Sequence, residues 1–153
     1  MTVVISKFHS PNSPHQSNLV GALFFYSMIT ISVSVGELID KYTILQIKRS
    51  KVSADKLTKV QHEMDALLPK VGPFIGIDTI ARLYEDLIGV NQQLWNVEDE
   101  IRKLEKDRDF GDRFIELARA VYHLNDERFV IKNRINILTD SDIQEVKQYI
   151  DYK

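Results

Sequence analysis

The feature that most constrains the fold of this chain is a regular repeat of aliphatic residues between positions 80 and 104. Eight side chains recur there at alternating steps of three and four residues: Ile80, Leu83, Leu87, Val90, Leu94, Val97, Ile101 and Leu104. This period is typical of a helix that packs along its length against another helix. At a rise of 1.5 Å per residue, a helix over about 78–108 would be roughly 45 Å long.

A second repeat with the same period follows a short break at 109–112, where the sequence is DFGD. Its members are Phe114, Leu117, Val121, Leu124, Arg128, Ile131, Ile135 and Leu138. Because the break is short, the two helices are predicted to lie antiparallel, as a coiled-coil-like hairpin of about 78–108 and 113–138. The numbers of facing residues should then sum to about 221, which places Arg128 opposite Leu94.

Two more helices are predicted before this hairpin. Ser34 and Glu37 form a capping box at the start of a helix over about 35–52, and a second helix follows Ser53. The stretch PKVGPFIG at 69–76 contains two prolines and two glycines, which indicates a connector.

The last predicted helix is short and C-terminal. Ser141 and Gln144 have the spacing of a second capping box, which would open a helix ending near Tyr152. The predicted fold class is therefore all-α, with the long hairpin packed against an N-terminal helix pair and a short C-terminal helix.

The first 27 residues differ in composition from the rest. Residues 8–18 are rich in Ser, Pro, Asn and His and have no period, which is typical of disorder. The 17 residues Leu19–Val35 carry no charge, but a membrane span needs about 20 predominantly apolar residues. A signal peptide needs a positive n-region, and the alternation from Ile29 to Val35 indicates a short extended segment instead. We expect residues 1–27 to be a disordered or dispensable extension of one all-helical domain, 28–153, and a membrane or secretory role is the minor alternative.

Composition excludes several classes of function. The net charge is −2 with both signs interspersed, so no basic stripe for nucleic acid is present. Cysteine is absent, which excludes disulfides and thiolate chemistry and is compatible with a reducing, cytoplasmic location. The sequence has no His-Glu-x-x-His, phosphate-binding glycine loop or serine elbow. We expect no metal site and no cofactor, since acidic pairs such as Glu37 and Asp40 are common in helical proteins.

One set of polar and aromatic residues stands out on the predicted helices. Its members are Glu37, Asp40, Asn91, Trp95, Glu98, Tyr122, Asn125 and Arg128. One interpretation is a buried polar network that fixes the register of the hairpin. The other is a pocket for an anionic or sugar-like ligand, with Arg128 supplying charge, Trp95 and Tyr122 the walls, and Glu98 an acid or base. If Glu98 pairs with Arg128, its loss should destabilise the fold strongly.

Three stretches, 34–52, 91–105 and 114–136, together resemble an uncharacterised all-helical domain family of bacteria and their phages. The resemblance covers about 29–150. It implies a setting near genes for surface-polysaccharide synthesis, glycosyltransferases or methyltransferases, and it assigns no catalytic residues. The expected function is a non-catalytic helical adaptor or oligomerisation module, acting as a homodimer or with a partner protein. The alternative is a small-ligand or sugar-nucleotide site, or an enzymatic one, at Trp95, Glu98, Tyr122 and Arg128.

Overall fold

The computed structural model describes residues 2–6, 28–148 and 150. Within them it contains the antiparallel strands β1 (Thr2–Ser6) and β2 (Met28–Ser32), with Thr2 opposite Ser32. It also contains four helices: α1 (Val35–Lys51), α2 (Ala54–Ile75), α3 (Asp78–Asp107) and α4 (Asp112–Leu138). The all-α class predicted from the sequence is confirmed, and β2 is the short extended segment that the alternation indicated.

The N-terminal extension lies only partly within the described residues. Residues 2–6 form β1, whose run of β-branched residues suits a strand. Residues 7–27 lie outside the described residues, so the prediction that the extension is dispensable stays a prediction. No helix among the described residues is long and apolar enough to cross a membrane.

The start of α1 follows the Ser34 half of the predicted capping box. The Ser34 hydroxyl accepts a hydrogen bond from the backbone N–H of Glu37 at 3.1 Å, as an N-cap residue does. The Glu37 carboxylate binds Lys132 on α4 at 2.8 Å. The cap therefore begins the helix, and the carboxylate joins it to a distant part of the chain.

The predicted connector at 69–76 is wrong for most of its length, because α2 continues to Ile75 and Gly76 follows as its C-cap. Pro69 and Pro73 lie inside the helix, four residues apart on the same exposed side. The carbonyls that they leave without an intrahelical partner, at Asp65 and Pro69, are on this side and can bind water. On the opposite side, Val71 is fully buried, so its packing against the core stabilises the helix between the two prolines.

Helix α3 is ended by a residue in the left-handed region, and the turn to α4 begins there. Arg108 has φ 55°, and the following N–H of Asp109 donates to the carbonyl of Leu104 at 2.9 Å. Across this turn, Arg113 of α4 binds Glu100 of α3. The two helices pack on each other, and the residue-by-residue register between them stays a prediction.

The buried core lies at one end of the α3–α4 pair. Its α3 members lie between Ile80 and Leu94, and its fully buried α4 members are Ile131 and Ile135; α1 and α2 supply the rest. We call this end, Asp78–Leu94 with Leu124–Leu138, the base. We call the other end, the continuous stretch Trp95–His123 that includes the turn, the arm.

The predicted C-terminal helix is wrong over the part that the structure describes. Residues 141–148, which we call the tail, form no helix. Asp140 has φ 48°, and the N–H of Ser141 donates to the carbonyl of Asn136 at 2.9 Å, which closes the end of α4. The Ser141 hydroxyl accepts from the N–H of Val35 at 3.3 Å and donates to the carbonyl of Ile143 at 2.9 Å, so it caps no new helix.

Candidate functional site at the α1–α4 interface

A glycine sets the distance between α1 and α4. The N–H of Gly36 donates to Oδ1 of Asn136 at 2.6 Å. A Cβ at position 36 would lie only 2.5 Å from the backbone carbonyl oxygen of Lys132. Because no side chain larger than hydrogen fits there, the N-terminal end of α1 lies directly on α4, and the polar residues of the next turn face Arg128 and Lys132.

At the centre of the interface, Asp40 of α1 binds Arg128 of α4 through both carboxylate oxygens. Nε of Arg128 donates to Oδ1 at 2.8 Å, and Nη2 donates to Oδ2. The Asp40 side chain is 1% exposed and that of Arg128 is 25% exposed. The hydrogen bond with Asp40 raises the pKa of Arg128, against the opposing effect of burial, so the guanidinium is charged and held in one orientation.

A third helix contributes to the same group of polar residues. Nδ2 of Asn91, on α3, donates to Oδ1 of Asp40 and to Oγ1 of Thr43, both at 2.8 Å. The Thr43 hydroxyl donates in turn to the carbonyl of Asp40 at 2.7 Å. Among the described residues, no buried side-chain polar atom is without a partner. Asp40 therefore joins α1, α3 and α4 through a satisfied polar network, which is the arrangement that a buried charge needs.

One turn along α4, Lys132 forms the second ionic contact. Its ammonium lies 2.8 Å from Glu37 and 2.6 Å from Glu145 of the tail. Burial of Lys132 opposes its charge, but the hydrogen bonds with Glu145 and Glu37 outweigh this effect, and the pKa of Lys132 is raised. Lys132 therefore ties both α1 and the tail to α4.

Two cavities lie on either side of Arg128. The smaller, of about 390 Å³, is lined by Trp95, Glu98, Asn91, Asn125 and Arg128 among others. The larger, of about 650 Å³, lies between α4 and the tail, and its lining includes Tyr122, Phe129, Lys132, Glu145 and Lys147. Both volumes fall within the range of about 300–1,000 Å³ that is common for ligand sites. Arg128 and Asn125 line both cavities, and Nη1 of Arg128 donates to Oδ1 of Asn125 at 3.4 Å.

The structure brings the sequence-predicted residues to one region and corrects one of their contacts. The partner of Arg128 is Asp40, whereas Glu98 binds Arg102 at 2.6 Å in an exposed pair on α3. Trp95 and Glu98 line the smaller cavity, and Tyr122 lines the larger one. Glu37 and Asp40 line neither of these two cavities, but they bind the basic side chains that do.

The site residues predicted from the sequence omit five residues of this interface: Gly36, Thr43, Lys132, Asn136 and Glu145. Lys132 follows Asn125 and Arg128 at helical spacing, which could have indicated that it shares their side of α4. The contact of Glu145 could not be found in this way, because it depends on the tail returning along α4. No group of three His, Asp or Glu residues within the described part of the chain could hold a metal ion.

These features define the class: an all-α protein whose helices α1 and α4 are joined by one largely buried ion pair, Asp40–Arg128, and one half-exposed pair, Glu37–Lys132. Residues 29–152 match the model of a Family of unknown function (DUF6165), and the chain belongs to this family. The match begins in β2 and includes all four helices and the tail. The chain matches no curated protein and no solved structure.

Proposed function

We propose that this protein is a non-catalytic helical interaction module that forms a homodimer through its arm. The observation that carries the proposal is a surface of the hairpin that α1 covers in the base and leaves uncovered in the arm. In the base, Asn91 of α3 and Lys132 of α4 are buried against α1. Further along, Trp95 is only half-buried and Tyr122 is 39% exposed.

The arm also has more apolar surface than its two helices cover. Phe110 is 52% exposed and Ile115 53% exposed, and the rings of Phe110 and Phe114 pack edge to face at 5.3 Å. Apolar groups clustered in this way, rather than scattered singly, are typical of protein–protein contacts. We infer that the apolar surface of the arm binds a macromolecule.

A second copy of the same chain is the occupant that we propose. Two arms related by a twofold axis would present the same exposed apolar surface to each other and form four packed helices. The charges of the arm support this arrangement, because Glu98 binds Arg102 and Arg113 binds Glu100 within one arm. Because these charges are already paired within each arm, two arms would approach each other without strong repulsion between like charges.

The mass of the full chain in solution tests this proposal. The monomer is 17.7 kDa, and light scattering after size exclusion should give twice that mass for the wild type. Ile115→Glu combined with Tyr122→Glu should give the monomer mass while keeping a cooperative melting transition, because both side chains are exposed in the single chain. The matched control is Leu68→Glu on α2, which is 45% exposed and lies outside the arm, and it should remain dimeric. A wild-type protein with the monomer mass at all concentrations would refute self-association.

The cellular setting forms part of the proposal. The absence of cysteine from 153 residues supports a cytoplasmic location, where thiols are kept reduced. The resemblance to a bacterial and phage family supports a role beside the enzymes of surface-polysaccharide synthesis. In a bacterium that encodes the protein, it should fractionate with the cytosol, and deletion of its gene should lower the amount of surface polysaccharide. Wild-type polysaccharide in the deletion strain would argue against this role.

The second candidate function is binding of a small ligand such as a sugar nucleotide in the smaller cavity. The half-buried Trp95 there can stack on a ring, and Arg128 supplies a positive charge. Trp95 is the only tryptophan of the chain, so its fluorescence reports on this cavity alone. Titration with nucleotide sugars should change the emission of the wild type and raise its melting temperature. A melting temperature that rises equally in Trp95→Phe would place the ligand elsewhere.

A further inference from the structure

The larger cavity has the properties of an anion site that the chain itself occupies. Lys132 and Arg128 reach it from α4, and Lys147 reaches it from the tail. Between them lies the carboxylate of Glu145, 2.6 Å from the Lys132 ammonium. This carboxylate lies where the anionic group of a ligand would lie, because it helps to neutralise the Lys132 ammonium. Glu37 binds the same ammonium from α1.

The rest of the cavity suits the organic part of such a ligand. Val121, Tyr122 and Phe129 supply an apolar wall beside the basic groups. The Lys147 ammonium lies 4.8 Å from the centre of the Phe129 ring, so this ring already takes part in a cation–π contact. A planar group of the ligand could stack on Phe129 while the Lys147 ammonium stays beside the same ring.

The tail can leave without exposing the core. None of the residues 142–148 is buried, and Val146 is 90% exposed. Beyond Ser141, the contacts that tie the tail to α4 include the Glu145–Lys132 pair, the bond from Lys147 to the carbonyl of Asn125 and the Lys147–Phe129 contact. A segment without buried side chains opens at low free energy compared with the core.

From these three observations we propose that the cavity between α4 and the tail binds a small organic anion, a carboxylate or phosphate joined to a planar ring. Glu145 occupies the position of the anionic group in the unliganded protein. Ligand binding displaces the Glu145 carboxylate from Lys132 and frees the part of the tail that carries it, whereas Lys147 keeps its bond to the carbonyl of Asn125. Val121 and Tyr122 of the apolar wall belong to the arm, whereas Lys132, Glu145 and Lys147 lie outside it. Variants at Lys132 and Glu145 therefore test this site separately from the proposed dimer.

Titration calorimetry with benzoate and with phenyl phosphate tests the proposal on the full chain. Glu145→Gln removes the competing carboxylate, and we expect it to bind at least one of the two probes roughly fivefold more tightly than the wild type, as expected when a competing surface ion pair is lost. The matched control is Asp142→Asn, which makes the same change of charge in the tail away from Lys132 and should bind as the wild type does. Which probe binds more tightly distinguishes a carboxylate ligand from a phosphate ligand.

Lys132→Met supplies the second half of the test. Its partners Glu37 and Glu145 are 51% and 39% exposed, so water can solvate both carboxylates and the variant should fold. It should lose binding of both probes while keeping a cooperative melting transition. The proposal is overturned if Glu145→Gln binds neither probe more tightly than Asp142→Asn does, or if a folded Lys132→Met binds them as the wild type does. Amide NMR signals of the tail should sharpen when the probe is added, and unchanged signals in a protein that binds would refute displacement.

Discussion

The base and the arm of the α3–α4 pair carry the same heptad repeat but differ in what surrounds them. In the base, Leu87 and Ile135 are fully buried, because α1 packs on both long helices and α2 packs on α3. In the arm, Val97, Ile101 and Leu104 occupy the same repeat positions and are only half-buried. A heptad repeat therefore indicates which side of a helix meets its partner helix. It does not indicate how many other helices cover that pair.

The largest expected difference between base and arm is the effect of shortening a leucine. Leu87→Ala removes a fully buried side chain of the base, and we expect it to lower the free energy of unfolding by about 4 kcal/mol. Leu104→Ala makes the same change in the half-buried seam of the arm and should lower it by only about 1 kcal/mol. Urea denaturation of both variants, at a protein concentration low enough to keep the proposed dimer dissociated, measures the difference. Equal losses would mean that the arm is covered as fully as the base within one chain.

The next effect concerns the ion pairs of the two regions. Asp40→Ala leaves Arg128 without its carboxylate in the base, and we expect a loss of about 3 kcal/mol, since Arg128 is partly exposed and water can solvate it in part. Glu98→Ala breaks an exposed pair in the arm and should change stability by less than about 0.5 kcal/mol. Thermal denaturation of the two variants at one ionic strength checks this order. A larger loss for Glu98→Ala would mean that Glu98, not Asp40, is the partner of Arg128.

The third effect compares two glycines. Gly36→Ala places a methyl group against the backbone of Lys132, and because backbone cannot turn aside, we expect a loss of about 2 kcal/mol. Gly89→Ala on the exposed side of α3 meets no atom within 4 Å and should stabilise the protein by about 0.5–1 kcal/mol. Denaturant midpoints of the two variants provide the measurement. Stabilisation by Gly36→Ala would show that α1 and α4 are further apart than described.

The smallest expected effect is a dependence on alkaline pH that arises in the base. Burial, with a smaller contribution from Tyr42 and Glu85, raises the pKa of Tyr84 from 10.0 to about 12. As the pH rises from 10 towards 12, the unfolded chain loses the tyrosine proton first, so the folded state loses stability over this range. Tyr84→Phe should reduce the slope of stability against pH there. Lys132 also has a raised pKa and gives a slope of the same sign, which remains in the variant. An identical slope in the two proteins would contradict the assignment to Tyr84.

The long helices could be predicted because their information is local. The repeat positions are three or four residues apart, and the bounds of α3 and α4 fall within one or two residues of the expected ones. The Ser34 cap is equally local, since its partner is three residues away. The prediction for 69–76 was wrong because proline and glycine usually indicate the end of a helix. A helix can continue through proline when the carbonyls left without a partner face water. Which side of α2 faces water depends on packing that the local sequence does not give.

The candidate site could be predicted as a set of residues but not as a set of contacts. Asp40, Asn91 and Arg128 were all in the set, because polar residues inside apolar stripes are conspicuous. Their pairing depends on how α1 packs across α3 and α4, and the spacing of residues along one helix does not give that arrangement. Glu98 was therefore considered as the partner of Arg128 in place of Asp40. The tail was mistaken for a helix because the use of Ser141 as a cap depends on Val35, 106 positions earlier.

The position of Asp40 in the chain also bears on how the protein folds during synthesis. Its partner Arg128 is 88 positions later, and translation at about 5–20 residues per second separates the two by roughly 4–18 s. During that interval the nascent chain has a carboxylate where α1 must be buried, and hydration of this charge opposes early collapse of α1 onto α2 and α3. Docking of α1 thus waits for the guanidinium to leave the ribosome, and truncated products that end before it keep α1 exposed to proteases.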